Sequence, residues 1–115
     1  MGAITTHVLD TARGRPAGGI AVLLERRDER RGDWKTIGQG DTDADGRLRT
    51  LMPEGASLEP GQYRLIFDTR TYFAAQSVRA LYPTVIVVIE TMAGETHYHI
   101  PLLLGPFGYT TYRGS

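Results

Sequence analysis

The sequence predicts an all-β sandwich with one short helix. Three observations carry that expectation. About seven short segments alternate apolar and polar residues or are β-branched throughout. Turn-forming clusters of Gly, Pro and Asp separate them at short intervals. A single stretch, residues 71–81, suits a helix.

The elements follow in order. Residues 4–10 alternate as a strand, and 12–19 form a turn-rich stretch around Gly14, Pro16, Gly18 and Gly19. Residues 20–26 make a second strand that ends in charge. A charged loop at 29–33 leads to a short third strand at 34–40 and an acidic turn at 41–46. In 62–68, Tyr63, Leu65 and Phe67 share one face, and Arg64, Ile66 and Asp68 share the other. The helix 71–81 is expected to stop at Pro83, which lacks an amide hydrogen. Residues 83–90 are β-branched from Thr84 to Ile89, the pattern of a strand buried on both faces. Ala93-Gly94-Glu95 is expected to turn a hairpin into residues 96–104. Gly105-Pro106-Phe107-Gly108 then turns into a last strand, 109–113.

At 115 residues the chain is expected to be one domain, 1–115. Thirteen basic residues balance thirteen acidic ones, so there is no basic stripe for nucleic acid and no polybasic tail for anionic lipid. Twelve of the basic residues are arginines, the better planar hydrogen-bonding fork. No cysteine is present, which removes disulfides, thiol nucleophiles and thiolate ligands together. No run approaches the roughly 18 apolar residues of a membrane span, and the first residues lack a signal-peptide pattern. The expected location is cytoplasmic. A domain this small has little room for an internal pocket of about 300–1,000 Å³. A small-molecule site is therefore expected on the surface or between subunits.

Strand parity assigns faces. Between 96 and 104 the even residues Thr96, Tyr98, Ile100, Leu102 and Leu104 read as core, which turns His97, His99, Pro101 and Leu103 outward. In the first strand Ile4, Thr6 and Val8 face inward and Thr5, His7 and Leu9 outward. Such a face is either partly solvated with incidental histidines, or it meets its counterpart across a symmetry axis and encloses a pocket.

Several chemistries are open to these residues. His97 and His99 lie on one strand face with Cα atoms roughly 7 Å apart, and His7 completes a three-histidine set of the catalytic-zinc type. Nothing nearby supplies a fourth ligand. Asp41-x-Asp43-x-Asp45-Gly46 begins like a calcium loop, but Met52 stands where the bidentate glutamate belongs. The simpler reading is a tight acidic turn that presents Arg47 as a surface charge or an oxyanion clamp. Ser57, Ser77 and Ser115 lie in no nucleophile elbow, so a covalent mechanism is poorly supported. The tail, Tyr109 to Ser115, ends in aromatic, guanidinium, hydroxyl and carboxylate groups.

The chain resembles the transthyretin-like family, in its 5-hydroxyisourate hydrolase branch. The likeness is densest in residues 6–17 around Thr6-His7-Val8-Leu9-Asp10, in 42–47, in His97-Tyr98-His99-Ile100-Pro101-Leu102-Leu103-Leu104, and in the terminal Tyr112-Arg113-Gly114-Ser115. Gly105 and Phe107 depart from the family's usual serine and tyrosine. The resemblance implies a Greek-key sandwich of about eight strands with one short helix. It also implies a homotetramer of two facing dimers, with sites at the subunit interface along a central channel. The implied activity is hydrolytic opening of 5-hydroxyisourate to 2-oxo-4-hydroxy-4-carboxy-5-ureidoimidazoline, with no metal or organic cofactor. The implied catalytic residues are His7, Arg47, His99 and Ser115. Tyr112 would join His7 and Arg47 in contacting substrate, and His97 and Arg113 would support them. Either His7 or His99 is the general base. Hormone-carrying transthyretins replace the histidines and the arginine, so a non-catalytic small-molecule carrier is the alternative.

Overall fold

A computed structural model describes residues 3–115. The described residues form β1 (Ala3–Asp10), β2 (Arg15–Pro16), β3 (Ala21–Arg27), β4 (Trp34–Asp41), β5 (Arg47–Leu48), β6 (Gly61–Asp68), α1 (Thr69–Ala74), β7 (Thr84–Thr91), β8 (His97–Leu104) and β9 (Tyr109–Thr111). Two sheets result. One has the order β2-β1-β8-β9, with β5 also paired to β1; the other has the order β4-β3-β6-β7. This is the all-β sandwich that the alternation predicted.

The first sheet is organised around β1. Its partner on one side is β8, which runs parallel to it in the register Ile4 to Tyr98 and Thr6 to Ile100. Its other edge is shared by two short strands: β2 lies opposite Leu9 and Asp10, and β5 opposite Thr6 and His7. The inward parity holds except at Thr96, which precedes β8 and is exposed. Ile4, Val8, Ile100, Leu102 and Leu104 pack with Val22, Leu24, Leu65, Phe67 and Val85 of the second sheet in one buried cluster. Each such side chain contributes about 1.5–3 kcal/mol relative to an exposed one. Thr6 shares that buried face, and its hydroxyl is satisfied by donating to the Ile100 carbonyl at 2.6 Å.

Asp10 closes β1. Its carboxylate accepts the Ala12 and Arg13 amides at 3.0 Å each, which folds the turn, and accepts the Tyr72 hydroxyl at 2.7 Å, which ties α1 to the first sheet.

Three expectations need correction. The helix is shorter than 71–81 and starts earlier. Asp68 caps it by accepting the Thr71 amide, and the chain leaves the helix through Ser77, which has φ 58°, with the Val78 amide returning to the Phe73 carbonyl at 3.0 Å. Pro83 therefore does not end it. Residues 84–91 are not buried on both faces. β7 is an edge strand, and Ile86 and Val88 on its outer side are 49% and 55% exposed. Ala93-Gly94-Glu95 is no hairpin turn either, because it carries the chain from β7 of one sheet to β8 of the other. The turn at 105–108 does join the antiparallel pair β8 and β9, closed by the Gly105 amide on the Gly108 carbonyl at 2.9 Å. Among the described residues, no helix is long and apolar enough to cross a membrane.

Candidate active site

Residues of β1 and β8, with Arg47 and Arg49 at and after β5, form a cleft with the chain's end. Thr5, Thr6, Arg47, Arg49, His97, His99 and Ser115 line a depression of about 220 Å³. A wider depression of about 870 Å³ lies on the β3–β4 loop among Arg27, Arg31 and Trp34, and contains none of the histidines.

The acidic turn positions Arg47. Asp43 accepts the Asp45 and Arg47 amides at 2.9 Å each. These bonds, chiefly the one from Arg47, hold its carboxyl below the usual range. Gly46 has φ 76°, and a Cβ there would stand 2.3 Å from the Val8 carbonyl oxygen. Only glycine lets the turn lie this close to β1, where Arg47 then pairs directly opposite His7. The Asp43 side chain thus builds the turn. Among the described residues, no three His, Asp or Glu side chains stand together as a metal-holding group.

His99 is half-buried beside Thr5, its register partner, and the Thr5 Oγ1 lies 2.8 Å from its Nδ1. Nε2 is the ring nitrogen left without this bond. Burial lowers the His99 pKa, and the positive fields of Arg47, His7, His97 and Arg49 lower it further. The ring is accordingly neutral, and able to take a proton, over the whole neutral range. His7 is arranged differently. Its Nε2 lies 2.8 Å from the Asp45 carbonyl oxygen, which can only accept, so Nε2 carries the hydrogen.

The tail reaches the same place. The Gly114 amide donates to the His99 carbonyl at 2.7 Å, and Ser115 lands at the cleft. This return explains why Pro101, expected to face outward, is buried: Gly114 packs against both its ring and that of His99. The last strand ends at Thr111, earlier than expected, and the tail rejoins the sheet through a single bridge between Gly114 and His99.

The structure thus brings together Arg47, His97, His99 and Ser115, with His7 opposite Arg47 on the neighbouring strand. Tyr112 and Arg113 lie elsewhere. Their side chains line an apolar groove of about 400 Å³ with Val88, Met92, Glu95 and Tyr98, between the edges of the two sheets. Thr5, Thr6 and Arg49 are cleft residues absent from the sequence-based set. Parity had turned Thr5 outward toward the histidines, which was the available signal.

The family model described as HIUase/Transthyretin family matches residues 4–114. The chain belongs to that family. A 5-hydroxyisourate hydrolase of Salmonella typhimurium is 41% identical over 112 residues, covering 97% of this chain and 80% of that one. The solved Klebsiella pneumoniae 5-hydroxyisourate hydrolase superposes with a TM-score of 0.85 at 34% identity and covers 100% of both chains. Sea bream transthyretin in complex with thyroxine superposes with a TM-score of 0.89, also at 34% identity, over 96% of this chain and 93% of that one. Within the family the fold is thus common to hydrolases and to a hormone-binding protein, and the side chains of the cleft must separate the two functions.

Proposed function

We propose that this chain, acting as a single domain of residues 1–115, hydrolyses 5-hydroxyisourate to 2-oxo-4-hydroxy-4-carboxy-5-ureidoimidazoline. The observation that carries the reading is the convergence of His99, its pKa held down, with Arg47 and Ser115 on one cleft. A carrier needs shape and apolar contact. A base, a fixed cation and a terminal hydroxyl are the equipment of hydrolysis.

The steps follow from those groups. His99 removes a proton from water as the oxygen attacks a ring carbonyl of the substrate. Arg47 holds the negative charge that develops on the carbonyl oxygen. The ring C–N bond then breaks, and the leaving nitrogen takes the proton from His99. His7, opposite Arg47, contacts and orients the substrate; Ser115 hydrogen-bonds to the reacting end. Acid–base transfer contributes about 10²–10⁴-fold.

The assembly in this reading is a homotetramer in the cytoplasm. Its support is the apolar surface left on β7, β9 and the loops beside them, where Ile86, Val88, Met92, Phe107, Tyr109 and Tyr112 are exposed. Tyr112 lies in that surface, so its contact with substrate would be made to a neighbouring subunit's site.

The test is a stopped-flow assay in which urate oxidase supplies fresh substrate. The expected result is loss of substrate absorbance well above the spontaneous rate, unchanged after exhaustive chelation. Tight binding of a small molecule with no acceleration would establish the carrier instead. Activity lost on chelation and restored by zinc would overturn the metal-free mechanism.

A further inference from the structure

The tail must be held in place for Ser115 to meet His99, and beyond β9 its backbone rejoins the sheet at the Gly114 bridge. Beyond that bridge and the packing of Gly114 on His99 and Pro101, the side chain of Arg113 anchors it. That guanidinium lies over the Tyr98 ring, 4.3 Å from its centroid. Its Nη1 stands 3.5 Å from Glu95 Oε2, and its Nη2 donates to the His97 carbonyl at 3.3 Å. Glu95 is fixed in turn, since its Oε1 accepts the Tyr98 hydroxyl at 2.6 Å. The same hydroxyl accepts the Met92 amide at 2.8 Å, and the Tyr98 ring is buried in the core.

We propose that Glu95 and Tyr98 are positioning residues for Ser115, acting through Arg113. The inference rests on the hydrolase reading for its effect on rate, and on geometry alone for its effect on the tail. Glu95 belongs to the connection between the sheets, so the clamp ties that crossing to the chain's end. Its chemistry is consistent with a persistent contact: the Tyr98 hydroxyl, and then Arg113, hold the Glu95 carboxyl below its usual range. Partly exposed ion pairs contribute little to stability. The benefit lies in orientation, because a shift in Arg113 is passed to Gly114 and Ser115 over two peptide units.

The experiment combines a double-mutant cycle with amide exchange on the full chain. Glu95→Gln, Arg113→Gln and the double variant are compared for kcat, KM and exchange of the Gly114 amide, with Tyr98→Phe as a further probe. Each single variant should lower kcat about three- to fivefold with KM little changed, and Gly114 should lose protection by a similar factor. The double variant should be no worse than Arg113→Gln alone. Additive losses, or full Gly114 protection in Glu95→Gln, would overturn the proposal. If the native chain shows no hydrolysis, the function reading fails, and Gly114 exchange alone still decides whether the clamp holds the tail. Glu95 and Arg113 are both exposed, so the cycle stands even if Tyr98→Phe misfolds.

Discussion

Gly114 lies against the ring of His99, its amide on the His99 carbonyl at 2.7 Å, with no space between them for a side chain. A Cβ on Gly114 would stand 2.7 Å from His99 Cδ2 and 3.1 Å from Pro101 Cγ. Gly114→Ala should therefore lift the tail and lower kcat by at least about tenfold. It should leave the melting temperature nearly unchanged, since chain ends add little to the core. Turnover and thermal unfolding of the same preparation check both halves. Normal turnover would mean that the tail does not act at His99.

Thr5 offers a sharper probe of the base. Thr5→Val keeps the volume and removes the partner of His99 Nδ1, freeing the ring to rotate and change tautomer. A fall in kcat of about tenfold is expected, with Thr5→Ser restoring most of it. Stability should drop by about 1 kcal/mol, the usual size of one lost hydrogen bond. Equal rates in the Val and Ser variants would remove Thr5 from the machinery.

The acid limb of the pH profile reports His99. Burial and neighbouring cations lower its pKa, so kcat/KM should hold as pH falls through the ordinary histidine value of about 6.5 and decline only below it. Arg49→Gln removes one positive charge, raises the His99 pKa, and should move that limb to higher pH. Stability carries the same sign. The unfolded chain binds the proton more readily, so folding loses free energy as pH drops below the unfolded histidine value and is unaffected above it. A limb that stays fixed in Arg49→Gln would show that another group is titrating.

Arg47 is expected to act as a fork rather than as a simple charge. Arg47→Gln should reduce kcat by about 10²–10³-fold, the scale of a lost oxyanion donor, and Arg47→Lys should recover little of it. Single-turnover rates at saturating substrate separate this from weaker binding. Full recovery by lysine would reduce Arg47 to an electrostatic role.

Much of the site was legible because a strand has a strict two-residue period. Once Tyr98, Ile100 and Leu102 are recognised as core, His97 and His99 must face the other way, and the same holds for Thr5 and His7 on β1. Arg47 could be placed because a turn of Asp and Gly residues has few conformations. Parity failed where the pattern carried no alternation. The run Val85-Ile86-Val87-Val88-Ile89 is apolar at every position, so an edge strand with one open face looks the same as a central strand. The helix was overextended because Ser77 gives no hint of a left-handed backbone, while Ala74, Ala75 and Gln76 all suit a helix. Thr5 escaped notice because threonine is an ordinary strand former; its value comes from the residue placed beside it. The clamp on Arg113 depends on Glu95 crossing between sheets, which a hairpin assignment concealed.

The parallel pairing of β1 with β8 has a consequence for how the molecule comes into being. Thr5 and His99 meet across 94 positions of chain, whereas β3 and β4 are joined by a short loop that can close at once. Contacts of such long sequence separation form late, after local pairs have shortened the loop that must be closed. During synthesis β1 must wait with an open edge until β8 has emerged. Refolding should accordingly restore the environment of Trp34, on β4, before it restores turnover, and stopped-flow fluorescence read against recovered activity would show the order.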